Sequence, residues 1–510
     1  MATQANSTDI NRAISLLNAG NLAQAEILCA QLLSKHAPNF TLQHILSLSL
    51  DGQQKFTEAA TSYEKAILLQ PNNADLHFNI AIIYTHLSEQ NQLLNGFEMA
   101  KKHYLRAIQI NPSFFEAHGN LGTVLQHQGL IVEAITSYQT GLTINPADAR
   151  GHFNLGTALR DNGDLSAAVH SYLRAIELFP NYTDAHNNVG ETFRDMGNMS
   201  DAVKAYQAAL ALNPQHARAN YNMAEFLVMS ANYSQAIDFF EQSQLDDWQE
   251  RVLYCLYKAK QFEAFAQKRD ILLSQKPHTS PFLATLCTHY SQNFNMPDPY
   301  NFCKNGLDFV YHSSLPELRA GSALHTALLY DIETAKIAER KQGRLTNGQQ
   351  SAGNLFKRPE ASFRQLAEII KQQFLCYREK FSQADCELIN HFPQNPEFAS
   401  AWYVKMQQGG HLSAHIHEIG WLSGAVYLAM PDAPTGGVEG AFEYGTHGDD
   451  YPINQTVQKF ATAQILPNVG DIVLFPSSLF HRTIPFNANQ PRICIAFDLA
   501  PSQIKSSSHY

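Results

Sequence analysis

A period of 34 residues constrains this chain more than any other feature. The segments "AATSYEKAILLQP", "KKHYLRAIQINP", "AITSYQTGLTINP", "AVHSYLRAIELFP" and "AVKAYQAALALNP" end at Pro71, Pro112, Pro146, Pro180 and Pro214, in steps of 41, 34, 34 and 34. Extra residues around "SEQNQLLNG" explain the long first step. Alanine, tyrosine and a small residue recur at fixed offsets: Ala59/Tyr63/Ala66, Ala100/Tyr104/Ala107, Ala134/Tyr138/Gly141, Ala168/Tyr172/Ala175 and Ala202/Tyr206/Ala209. The small residues let paired helices approach closely, and the aromatic ring fills the gap toward the neighbouring unit. Such units bury their apolar faces by stacking on one another.

These units resemble the tetratricopeptide repeat. Degenerate versions flank them, "AGNLAQAEILCAQLL" before and "ANYSQAIDFFEQS" with "YKAKQFEAFAQKRDILL" after, as capping units of a stack would. The resemblance implies an N-terminal α-solenoid over residues 1–275. A second ladder runs through the first helix of each unit, where Asn79, Asn120, Asn154, Asn188 and Asn222 stand in register. That helix lines the concave face of such a superhelix. A row of amides there can donate to and accept from an extended peptide backbone without reading its sequence. Similar ladders bind protein substrates in superhelices like that of O-linked N-acetylglucosamine transferase. The competing reading is that the amides satisfy backbone groups between helices. His77, His118, His152 and His186, two residues earlier, are expected to pack or to face solvent rather than to ligate.

A chain of 510 residues exceeds one ordinary core, and its 45% hydrophobic and 16% charged content is that of a globular protein. A net charge of −10 without a Lys/Arg cluster argues against a nucleic-acid partner. Seven scattered cysteines without a CxxC suit a reducing compartment. With no secretory pattern in "MATQANSTDINRAISLL" and no run of about 20 apolar residues, no membrane partner and a cytoplasmic location are expected.

Past residue 275 the period ends. Residues 276–400 read as linker and helical support: "KQGRLTNGQQSAGNLF" has the composition of a surface loop, and "ASFRQLAEIIKQQFLCYREKF" is an amphipathic helix with Leu366, Ile369, Ile370, Phe374 and Tyr377 near 3.6 spacing. From 401 to 505 short β-rich runs appear, "AWYVKMQ", "WLSGAVYLAM", "GAFEYG", "DIVLFPS" and "RICIAFDL", divided by turn residues. Their number and spacing suggest a sandwich or barrel.

Within that region "GGHLSAHIHEIGWLSG" holds His411, His415 and His417. Residues i and i+2 of a strand share a face, so His415 and His417 aim at one point while Glu418 points away. A third ligand is expected from a distant strand, and His481 in "GDIVLFPSSLFHRTIPF" offers it. His411 is expected outside the ligand set, and His447 in "GTHGDDYP" is expected to be exposed.

This run, with "WLSGAVYL", "GDIVLFPSSLFHRTIPF" and "RICIAF" in order, resembles the double-stranded β-helix (jelly roll) of 2-oxoglutarate/Fe(II)-dependent oxygenases. It is most similar to the prolyl-hydroxylase-related bacterial branch often fused to tetratricopeptide repeats. The resemblance implies a multidomain α + β protein, an α-solenoid followed by a double-stranded β-helix with flanking helices. It makes His415 and His481 iron ligands, with His417 standing where the common pattern has a carboxylate. It also makes Arg492 the residue that holds the far carboxylate of 2-oxoglutarate, for which a bidentate guanidinium is suited. The implied cofactors are Fe(II) and 2-oxoglutarate as cosubstrate. The leading function is hydroxylation of a protein or peptide captured by the repeats. The alternatives are a small-molecule oxygenase whose repeats recruit partners, a scaffold with a degenerate oxygenase domain, and a three-histidine dioxygenase that needs no 2-oxoglutarate.

Overall fold

The computed structural model describes residues 5–500, apart from positions 91, 276, 277, 279, 336, 338, 341, 342, 419, 433–436, 449 and 455–459 and the side chain at 340. The chain divides into two compact units, Met1–Phe226 and Leu227–Tyr510.

In the first unit each sequence repeat becomes a pair of helices: Phe115–His127 with Ile131–Ile144, Ala149–Asp161 with Leu165–Leu178, and Thr183–Asp195 with Met199–Leu212. The turn inside each pair needs a left-handed residue, supplied by Gly129, Gly163 and Gly197 at φ of +74°, +85° and +79°. Asp164 and Asn198 cap the second helices by accepting from the N–H groups of Ala167 and Asp201. The closing proline has no N–H to continue the ladder.

The tyrosines of all five units are buried. A Cβ on Gly122, Gly156 or Gly190 would lie 2.7, 2.8 and 2.6 Å from the rings of Tyr138, Tyr172 and Tyr206. Glycine at these three positions lets the ring lie close against the first helix; Ala81 and Ala224 stand at the same register in the flanking repeats. The histidines before the asparagine ladder brace the turns between repeats. The Nε2 atoms of His77, His152 and His186 lie 3.2, 3.1 and 3.0 Å from the carbonyls of Pro71, Pro146 and Pro180. Asn220 Nδ2 donates to the Pro214 carbonyl at 2.9 Å in the same way.

The sequence puts the end of the superhelix at residue 275, whereas the compact division falls at 226/227. The helices Tyr233–Ser243, Trp248–Lys258 and Phe262–Gln275 thus group with the β-rich region. Their contacts explain it: Tyr257 Oη pairs with His289 Nδ1 at 2.7 Å, and Lys258 Nζ donates to the Asp450 carbonyl at 3.0 Å.

The second unit contains ten strands among its described residues: β1 Tyr311–Ser314, β2 Glu339–Arg340, β3 Leu345–Ser351, β4 Glu397–Leu412, β5 Leu422–Ala429, β6 Phe442–Gly445, β7 Thr462–Ile465, β8 Asp471–Pro476, β9 Phe480–Thr483 and β10 Arg492–Ala500. They form two antiparallel sheets, ordered β1-β8-β5-β10-β4-β3-β2 and β7-β6-β9. Val404, Met406, Tyr427 and Val473 of the large sheet share one core with Phe442 of the small sheet. This is a jelly roll following an α-solenoid. The helix Ala361–Lys380 buries Leu366, Ile370, Phe374 and Tyr377, and Phe374 meets Phe497 of β10 edge-on.

The segment with surface-loop composition contains strand β3, paired to β4. Its residues 346–349 are exposed, so no apolar alternation marks it. Positions 501–505, which the sequence assigns to the barrel, lie outside the described residues.

Candidate metal centre

Strand β4 ends at Leu412, and the two following histidines occupy an irregular segment rather than a continued strand. Here the chain leaves the large sheet for the small one. His415 exchanges two backbone hydrogen bonds with His481 of β9, at 3.0 and 2.9 Å, and His417 N–H donates to the Ser477 carbonyl at 3.2 Å. His415 and His417 still converge because backbone hydrogen bonds tie this segment to His481 and to Ser477.

His415, His417 and His481 come together with one ring nitrogen each, all within 4.8 Å of one another. Their ring centroids lie 5.3, 4.3 and 4.8 Å apart. His415 Nδ1 lies 2.8 Å from the Ser413 carbonyl and His481 Nδ1 3.3 Å from that of Leu479. A carbonyl only accepts, so both rings carry their proton on Nδ1 and present the Nε2 lone pair. His417 Nδ1 meets the carboxylate of Asp498. Burial, with His417 beside it, pushes His415 down to about 3, and burial holds His481 well below the ordinary histidine range. Imidazoles converging from the segment after β4 and from β9, two of them with the tautomer fixed by a carbonyl, fit a divalent transition metal with further positions open.

The other sequence candidates separate from this cluster. Glu418 turns away and pairs with Arg251, Nη2 to Oε2 at 2.7 Å. His411 remains on β4 opposite Thr346. His447 is half-buried rather than exposed: its Nδ1 lies 2.8 Å from His289 Nε2, and its ring stacks on Phe460 at 4.7 Å. The neighbouring Gly448 packs so tightly that a Cβ would lie 2.8 Å from both Ala414 and Phe480. His289, held down to about 3 by burial and by His447, anchors this loop through Tyr257.

Arg492 opens β10 and is 2% exposed. Its Nε donates to the Gly440 carbonyl at 3.1 Å, and its guanidinium lies 5.1 Å over the Tyr427 ring. Among the described residues no carboxylate pairs with it. The buried Tyr427 hydroxyl donates to no acceptor among the described residues either. A buried cation without a counter-ion is costly unless an anion arrives. The donor set at this place therefore fits a ligand carboxylate. Tyr427 shares its apolar core with Phe442 and Phe475, whose rings touch His481.

The sequence did not single out Tyr427, Asp498, Ser423 or Ser477. Asp498 did leave a signal, as an acidic residue inside the apolar run "RICIAFDL".

In the repeat unit Asn79, Asn120, Asn154 and Asn188 are half-buried. Asn222 differs: it is buried, and its amide nitrogen donates to Asn187 Oδ1 at 3.0 Å and Glu191 Oε1 at 3.1 Å. Its oxygen accepts from Arg194 Nη1 at 3.1 Å. Glu191 is in turn ion-paired to Arg160 at 2.6 Å. Asn222 thus has no free amide N–H for a peptide, a correction to its place in the ladder. The cause is the acidic residue Glu191, which stands where the preceding repeats have Thr157 and Thr123.

Residues 400–498 match the family described as "Putative 2OG-Fe(II) oxygenase". Tetratricopeptide-repeat families match 53–87, 103–136, 156–197 and 193–253. A human relative, protein O-mannosyl-transferase TMTC3, is 35% identical over 116 residues, 22% of this chain. The chain spans 12% of that relative's length. A tetratricopeptide repeat protein from Parabacteroides merdae is similar over 49% of this chain and 98% of its own, at 18% identity and a TM-score of 0.40. The repeat protein YrrB is similar over 39% of this chain and 99% of its own, at 24% identity and a TM-score of 0.32. Matches to tetratricopeptide-repeat families are thus followed along the chain by a C-terminal match to the family described as "Putative 2OG-Fe(II) oxygenase".

Proposed function

We propose that this chain is an Fe(II)- and 2-oxoglutarate-dependent dioxygenase that hydroxylates a side chain of a protein or peptide captured by the repeat array, acting in the cytoplasm. The observation that carries the oxygenase reading is the pairing, in one barrel, of a convergent three-histidine cluster with a buried guanidinium that has no carboxylate partner among the described residues. His415, His417 and His481 would hold the iron through their Nε2 atoms. Arg492 would hold the distal carboxylate of 2-oxoglutarate, with the Tyr427 hydroxyl as a second donor. When bound, iron and cosubstrate would activate dioxygen, one oxygen atom converting a substrate C–H into C–OH and the other ending in succinate as 2-oxoglutarate loses carbon dioxide.

The protein's own contribution is positioning and exclusion of water. Phe442 and Phe475 keep one side of His481 dry. Ser413 and Leu479 fix two of the ligand rings through their carbonyls. The substrate class rests on the register of the half-buried amides of Asn79, Asn120, Asn154 and Asn188 along the stack, of which Asn188 Oδ1 already accepts from Asn187 Nδ2 at 3.2 Å.

Incubation with Fe(II), 2-oxoglutarate and candidate peptides is expected to yield succinate coupled to a product heavier by one oxygen, about 16 Da. Arg492→Ala should weaken 2-oxoglutarate binding while leaving metal binding in place. Unchanged cosubstrate affinity would instead favour a three-histidine dioxygenase that works without it. Replacing the four ladder asparagines should raise the KM for a peptide; turnover that ignores them would point to a small-molecule substrate.

A further inference from the structure

The three-histidine cluster has no carboxylate among its converging atoms, yet a carboxylate is buried directly behind it. Asp498 lies on β10, at the centre of the seven-stranded sheet, and is 6% exposed. In register with it stand Ser400 on β4 and Ser423 on β5, one on each neighbouring strand. Ser423 Oγ donates to Asp498 Oδ1 at 2.7 Å and Ser400 Oγ donates to Oδ2 at 2.8 Å. Oδ1 also takes the hydrogen bond from His417 Nδ1. The loop carrying His417 closes over this carboxylate only because residue 420 is glycine. A Cβ there would lie 2.6 Å from Ser477 Oγ and 3.1 Å from Asp498 Oδ1.

Among the described residues, no Lys or Arg pairs with Asp498; its one ionisable partner is His417. A carboxylate this deep needs a positive charge nearby to offset its desolvation. A positive charge can reach it along its hydrogen-bond chain either on His417 itself or beyond that ring, at Nε2, where the three histidines converge.

We propose that Asp498 is the positioning residue of the metal centre, supplying from behind His417 the negative charge that a carboxylate ligand would otherwise bring. It holds His417 with the proton on Nδ1 and the lone pair on Nε2, and it makes that ring a stronger donor. The two serines keep Oδ1 aimed at the ring. This rests on the reading of the histidine cluster as a metal centre, and the two can fail separately.

The test is Co(II) binding by the full-length protein, followed by the visible d–d absorption and by competition with a chelator. Asp498→Asn keeps the shape and removes the charge, and it should weaken Co(II) binding about 10- to 100-fold and shift the absorption bands. Ser400→Ala, which removes a donor from the oxygen that does not face His417, should leave the bands in place. If the wild-type protein binds no Co(II), the metal centre itself is refuted. If the wild type binds and Asp498→Asn matches its affinity and spectrum, Asp498 has no such role. Should Asp498→Asn lose the native circular dichroism, Ser423→Ala decides instead. A several-fold loss with shifted bands supports the proposal, and wild-type values overturn it.

Discussion

Histidines stand in register in both regions of this molecule, and the two regions use them in opposite ways. In the repeat array His77, His152 and His186 spend Nε2 on a proline carbonyl six residues back, so each ring closes a turn. In the barrel His415 and His481 spend Nδ1 on a carbonyl two residues back and leave Nε2 for a common point. A local hydrogen bond orients the ring in every case. Which nitrogen it consumes separates a structural brace from a candidate ligand.

Packing separates the two regions most forcefully. Tyr172→Ala removes a fully buried ring from between two repeats and should cost the array about 3–5 kcal/mol in urea unfolding. Co(II) binding by the barrel should be unchanged, and a parallel loss there would show that the two regions are not independent.

Next in size, His481→Ala should weaken Co(II) binding by more than the roughly 100-fold limit of a supporting residue. His152→Ala, a substitution of the same residue type in the array, should leave it untouched.

Acid sharpens the contrast further. His289 is fully buried and its folded pKa, about 3, lies below the ordinary histidine value. The unfolded chain therefore binds more protons in between, so stability is complete above about pH 6.5 and falls as pH drops toward 3. The slope is at most about 1.4 kcal/mol per pH unit, roughly 2 kcal/mol by pH 5. Denaturation at pH 7 and pH 5 should show this slope reduced in His289→Gln; an unchanged slope would mean that other groups carry it.

The smallest effect belongs to the braces. His152→Ala should cost about 1 kcal/mol by the same denaturation measurement. His152→Asn should lose less, because Asn220 already makes the equivalent bond to Pro214 two repeats further on.

Much of the fold was legible because its signals are local. The 34-residue period, the Ala/Tyr/small pattern and the barrel's apolar runs each reflect neighbours a few residues apart or one repeat away. The segment at β3 escaped notice because an exposed strand has no apolar face to alternate. His447 looked exposed amid glycine and aspartate, but His289 and Phe460 cover it from elsewhere in the chain.

The sequence by itself determined the order of solenoid and barrel, the asparagine register and the three histidines, since spacing along the chain sets which side chains share a face. Only the tertiary structure decided that Asn222 is consumed by Asn187 and Glu191, that Arg492 is buried with no carboxylate partner among the described residues, and that Asp498 stands behind His417. Those outcomes depend on partners up to 81 residues away along the chain. Burial there excludes water, so each polar group must be matched by whatever the fold brings beside it.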